Sequence, residues 1–178
     1  MEAIELPKAA PIDPSIRVAI FDGGVPKGHP LSRWVKSIDP PGIGSGISSF
    51  QRHGVGVTSA FLFGHIDPDK SIPRPYAPVD HYRVLDRGTL AENPHELYEV
   101  LGRIDQVLVE KDYQFVNLSI GPQLPIEDDE VHAWTAVIDD RLSKGKTLAT
   151  IAVGNDGDQP AEDGLNRIQV PSDSVNAL

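Results

Sequence analysis

Val18-Ala19-Ile20-Phe21-Asp22-Gly23-Gly24 is an apolar run that closes on an acid and two glycines. A short apolar run stopped by a turn signal reads as a buried strand, here Arg17 to Phe21, with Asp22-Gly23-Gly24 ending it. Further on stands Phe50-Gln51-Arg52-His53-Gly54-Val55-Gly56-Val57, a histidine followed by small residues that can enter a helix. A carboxylate at a strand end and an imidazole at a helix start can meet across the edge of an α/β sheet. Asp22 would then hold the imidazole tautomer while His53 moved a proton. That pair lacks a nucleophile.

Outward from this stretch, strands alternate with amphipathic helices. Residues 1–16 carry Pro7, Pro11 and Pro14 and read as a surface lead-in. Residues 26–50, rich in Pro and Gly, read as mostly loop with a helical turn around Leu31 to Val35. Gly54 to Phe63 reads as an interior helix whose glycines permit close packing on the sheet. Prolines 68, 73, 75 and 78 mark a connection to a strand over Val79 to Leu85. Leu97, Leu101, Ile104 and Leu108 recur on one face of a helix over Glu96 to Glu110, with Asn93 as its cap. Phe115 to Ile120 predicts a strand, Asp128 to Ser143 a helix with a stripe of Val131, Trp134, Ile138 and Leu142, and Thr147 to Val153 a strand. The pattern predicts an α/β fold with a mostly parallel sheet covered on both faces. The closing Val175-Asn176-Ala177-Leu178 reads as the start of a further strand, so the sheet is expected to be incomplete at its C-terminal part.

The 178 residues are enough for a sizeable core. With 26 acidic against 16 basic residues and a net charge of −10, the chain is not built to bind nucleic acid. It contains no cysteine, which excludes disulfides, thiolate catalysis and zinc–thiolate sites. No stretch approaches the ~20 apolar residues that span a membrane. The N-terminus has no basic segment leading into an apolar run, which leans toward the cytoplasm without fixing the compartment.

Each chemistry-bearing residue has an ordinary alternative. Asp22 before Gly is a common turn residue. His53 could be a satisfied surface or core histidine, or a metal ligand, although the other histidines are scattered and form no tight cluster with acids. His95 with Glu99 is a solvated helix pair. Asn155 follows a hydrophobic strand, where its amide could donate to an oxyanion, yet Asn-Asp-Gly is also a plain turn. Ser119 and Gly121 leave room for an extended peptide to pair by backbone hydrogen bonds, or simply make a tight exit into Pro122.

Taken together, these segments resemble the subtilases, the subtilisin-like serine peptidases, over Arg17 through Leu178. V-A-I-F-D-G-G is similar to the segment of the catalytic acid and H-G-V-G-V-T-S to that of the catalytic histidine, giving those roles to Asp22 and His53. F-V-N-L-S-I-G resembles the substrate-pairing strand and implies peptide contacts at Ser119, Ile120 and Gly121. A-T-I-A-V-G-N-D-G resembles the block of the oxyanion-hole asparagine. It implies that role for Asn155 and a pocket lined by Ala152, Val153 and Gly154. The resemblance implies a subtilisin-like three-layer fold, a peptide or protein substrate, and no required cofactor. A structural calcium ion fits the family, without assignable ligands.

Three departures stand out. Gly23 occupies a position commonly Thr or Ser, Val55 replaces a Thr, and Thr58-Ser59 replaces Ala-Gly; these weaken hydrogen bonding around the pair. More consequential, the G-T-S-x-A-x-P segment that carries the nucleophile does not occur, and Ser172 and Ser174 lie in a different context. The sequence is therefore expected to be a fragment, residues 17–178 being the N-terminal portion of a catalytic domain. The full-length parent would be a serine endopeptidase, and the chain by itself inactive. The alternative is a degenerate subtilase module that binds peptides or a partner domain without catalysis. An uncovered sheet edge would favour self-association.

Overall fold

The computed structural model describes residues 5–67, 69–164 and 166–178, so Pro68 and the first four residues of the lead-in lie outside the described residues. The chain forms two compact units, Met1–Asp86 and Arg87–Leu178.

In the first unit, β1 (Val18–Asp22), β2 (Val35–Ile38) and β3 (Val79–Arg83) run parallel in the order β2-β3-β1. β1 is buried along its whole length, which is why Val18 to Phe21 are all apolar instead of alternating, and the strand ends on the buried Asp22. Helix α1 (Ser48–Phe63) packs on β1. Phe21 and Tyr82, paired in register, stack at 5.3 Å, and Trp34 meets Phe63 edge-on at 5.5 Å.

In the second unit, β4 (Phe115–Leu118) and β5 (Leu148–Ile151) pair in parallel, with α2 (Tyr98–Glu110) before β4 and α3 (Ala133–Leu142) between them. Trp134 is fully buried and its Nε1–H donates to the Glu96 carbonyl at 2.7 Å. Arg141 of α3 pairs with Asp105 of α2 at 2.6 Å. Parallel strands alternating with helices make this an α/β fold, as the sequence predicts.

Several boundaries differ from the sequence reading. β2 lies inside the stretch expected to be mostly loop. Only Val35 of its four residues is buried, too little pattern to stand out among prolines and glycines. α1 begins at Ser48, well before Gly54. α2 begins at Tyr98, because Leu97 takes a left-handed conformation (φ 45°) that separates the helix from the turn before it. Asn93 opens that turn, accepting the His95 N–H, and does not cap α2. Val100 and Val107 join Leu101 and Ile104 in the buried face, while Leu97 and Leu108 are half-buried. α3 starts only at Ala133, where His132 Nδ1 accepts the Trp134 N–H, so Asp128 and Asp129 precede the helix and Val131 is 71% exposed.

Candidate catalytic site

Asp22 is the last residue of β1 and is wholly inaccessible. His53 sits in the second turn of α1, not at the helix start. Its Nδ1 lies 2.9 Å from Asp22 Oδ1 and 2.8 Å from Oδ2. Oδ1 also accepts the Gly23 N–H at 2.5 Å. Burial pushes the Asp22 carboxyl above its ordinary value, and the hydrogen bonds from His53 and Gly23 pull the other way. With both carboxylate oxygens facing Nδ1, that nitrogen carries the hydrogen and Nε2 keeps its lone pair. The His53 side chain is about half exposed, at 52%, so that lone pair belongs to a group that solvent and ligands can reach.

Two glycines let α1 lie on the turn after β1. A β-carbon on Gly23 would stand 2.1 Å from the Phe50 carbonyl oxygen, and one on Gly54 would stand 2.7 Å from the Gly24 oxygen. Gly23 is therefore matched to the approach of the helix, which leaves no room for the Thr or Ser common in subtilases. Thr58, another departure, is buried and shares a 2.8 Å hydrogen bond with Nδ1 of the buried His81 on β3. His81 Nε2 accepts the Gly24 N–H at 3.0 Å.

The loop before α1 has no regular structure and is held from β3 and the residues just after it. Arg83 donates to the Gly44 carbonyl, and Asp86 accepts the Gly44 N–H. Beside them a cavity of about 430 Å³ is lined by Gly24, Lys27, Asp39, Gln51 and Arg83, among others. Sequence reasoning missed His81, Arg83 and Asp86. The inward phase of β3, which carries Val79, His81 and Arg83 on one face, was the available signal.

In the second unit, Ser119, Ile120 and Gly121 follow β4, and Ala152, Val153 and Gly154 follow β5. The two segments are adjacent: the Ala152 N–H donates to the Leu118 carbonyl at 3.0 Å, extending the parallel pairing beyond the strands. Ser119 Oγ donates to Asn117, and a β-carbon on Gly121 would lie 2.6 Å from the Val170 oxygen. Gly154 has φ +99°, a conformation that favours glycine, and Asn155 is exposed in the bend that follows. Ser172 donates to the Gln169 carbonyl and Ser174 to Asp139, so both hydroxyls are engaged in the local structure. Among the described residues no group of three or more His, Asp or Glu side chains could hold a metal ion, and no helix is long and apolar enough to cross a membrane.

No protein-family model and no curated protein matches the chain. Among solved structures, a serine-to-alanine mutant of the protease domain of PatA matches with a TM-score of 0.58 and 22% identity, over 96% of this chain. The chain has a subtilase-like fold. It spans 58% of that protease domain's chain. At this identity the likeness concerns the fold, and the acid–histidine pair within it is this chain's own geometry.

Proposed function

We propose that the chain supplies the acid and the base of a subtilase-type serine endopeptidase, whose nucleophile comes from a G-T-S-x-A-x-P segment that these 178 residues do not contain. The observation that carries this reading is the double contact of His53 Nδ1 with a fully buried Asp22 at a strand end, within a subtilase-like fold. His53 Nε2 takes the proton of the serine hydroxyl as its oxygen bonds to the scissile carbonyl carbon. Asp22 stabilises the imidazolium, and the Asn155 amide donates to the oxyanion. His53 then returns the proton to the leaving amine as the C–N bond breaks, and water releases the acyl group by the same steps in reverse. The backbone of Ser119 to Gly121 pairs with an extended peptide, and Ala152 to Gly154 line the pocket for the residue before the scissile bond. The chemistry needs no cofactor.

A serine-directed phosphonate tests this. The 178-residue chain is expected to remain unlabelled, and a polypeptide extended through an intact G-T-S-x-A-x-P to become labelled. A folded extended protein that neither labels nor cleaves a broad peptide library would sink the reading. One observation favours the alternative of a binding module: no serine of this chain stands in the nucleophile motif. A natural substitution of that serine in the parent would decide for it. β5 carries the exposed Leu148, and the exposed Leu178 exchanges backbone hydrogen bonds with Ala149 and Ile151 of the same strand. Self-association through this edge is expected to raise light scattering with concentration.

A further inference from the structure

His81 is fully buried at the centre of the first unit and plays no part in the chemistry above. Its ring touches both elements that carry the acid–base pair. Nε2 accepts the N–H of Gly24, two residues after Asp22, at 3.0 Å, and Nδ1 meets the Thr58 hydroxyl of α1 at 2.8 Å. A β-carbon on Gly54, the residue after His53, would stand 3.1 Å from His81 Cε1, so the helix backbone rests against the ring edge. An N–H can bond only to a lone pair, so Nε2 is unprotonated. The single ring hydrogen is on Nδ1 and is donated to Thr58.

We propose that His81 is a positioning residue, a neutral imidazole that clamps the Asp22-Gly23-Gly24 turn to α1 and so fixes Asp22 and His53 relative to each other. Burial supports the neutral form, holding the group down to about 4. The charged or titratable neighbours on the same face are Asp22 at the end of β1, Arg83 on β3, which is paired with Asp39 after β2, and His53 on α1. Among the described residues the ring nitrogens bond to none of these groups: Nε2 meets the Gly24 N–H and Nδ1 the Thr58 hydroxyl. A second proton on Nε2 would leave Gly24 facing a donor and break the clamp. The inference rests on Asp22 and His53 being the working pair.

The test uses the 178-residue chain labelled with nitrogen-15. Three signals are followed: hydrogen exchange at the Gly24 amide, the ring-nitrogen shifts of His81, and the low-field proton on His53 Nδ1. In the wild type, the His81 shifts should be those of an Nδ1–H tautomer. H81L should speed Gly24 exchange by about tenfold or more, the scale of one lost hydrogen bond, and broaden the His53 proton. H81Q, which restores an amide acceptor, should recover both signals in large part. T58V keeps ring and volume but removes the hydroxyl, and should mix the His81 tautomers and raise Gly24 exchange; it decides the matter if H81L does not fold. Gly24 exchange that is indifferent to folded H81L, or to T58V, overturns the clamp. A protected Gly24 without the low-field His53 proton in any variant instead overturns the Asp22–His53 pair, and with it the positioning role.

Discussion

Arg83 holds Asp39 through two parallel bonds, Nε to Oδ1 at 2.8 Å and Nη2 to Oδ2 at 2.9 Å, while its third contact fixes Gly44. A guanidinium fork meets a carboxylate in this way because the two are planar and matched in spacing. The arginine side chain is 9% exposed and the aspartate 60%, so solvent screens one side of the pair. The arrangement ties the loop ahead of α1 to β3, and therefore bears on where His53 stands.

D39A should cost about 1 kcal/mol at neutral pH, closer to an exposed pair than to a buried one. The Arg83 hydrogen bonds hold the Asp39 carboxyl below its ordinary value of 3.8. Its contribution is thus present above that value and lost as pH falls through the lower folded one. Urea titrations should separate wild type from D39A at pH 7, and the gap should narrow progressively as pH is lowered below 3.8.

The two glycines of the site should respond differently from a glycine on the outer face of α1. G23A places a methyl against the Phe50 backbone, and should destabilise by about 2 kcal/mol or more, because neither helix nor strand can yield cheaply. At Gly56, which is exposed and has open space where a β-carbon would go, G56A should stabilise by about 0.5–1 kcal/mol. Denaturant midpoints of the two variants check the contrast. Equal effects would mean that α1 does not rest on the β1 turn.

The residues nearest the pair were legible because their sequence context is local. An apolar run closing on Asp-Gly-Gly forces a strand and a turn, and a histidine beside small residues fits a helix that must lie close to a sheet. What escaped depends on contacts distant in sequence. His81 gains its meaning only from Gly24 and Thr58, and Arg83 only from Asp39 and Gly44, so each looks like an ordinary strand residue when read alone. β2 was hidden because an edge strand with one buried side chain gives no period. The late start of α2 follows from the backbone of Leu97, a residue whose type favours helix and gives no warning of a left-handed turn.

His81 also sets an acid limit for the first unit. Its value falls from 6.5 to about 4 because burial penalises the charged ring. A lowered folded value means that the fold favours the neutral form. This stability is complete above about 6.5 and is lost as pH falls from there toward 4. At ~1.4 kcal/mol per pH unit the whole effect is about 3 kcal/mol. Asp22, raised by burial, acts in the opposite sense at acid pH, since its protonated form is the one that burial favours. Denaturation free energy measured between pH 7 and 4 should therefore decline in the wild type and decline less in H81Q. Parallel curves would remove His81 as the cause.

The final prediction separates the proton carrier from the oxyanion donor in a polypeptide extended through an intact G-T-S-x-A-x-P. H53A removes the imidazole that contacts Asp22 and takes the serine proton, and should abolish most turnover and most phosphonate labelling together. N155A should leave the acid–base pair intact, because the Asp22–His53 contact is made within the first unit and Asn155 is a residue of the exposed bend after β5. Labelling should persist at a reduced rate, and kcat should fall by about 10²–10³, the scale of removing one oxyanion donor from subtilisin. KM should change little, since the lost interaction forms only as negative charge develops on the carbonyl oxygen. A loss in N155A confined to KM would place the residue in substrate binding, and an H53A variant that turned over at the wild-type rate would remove the acid–base role from the Asp22–His53 pair.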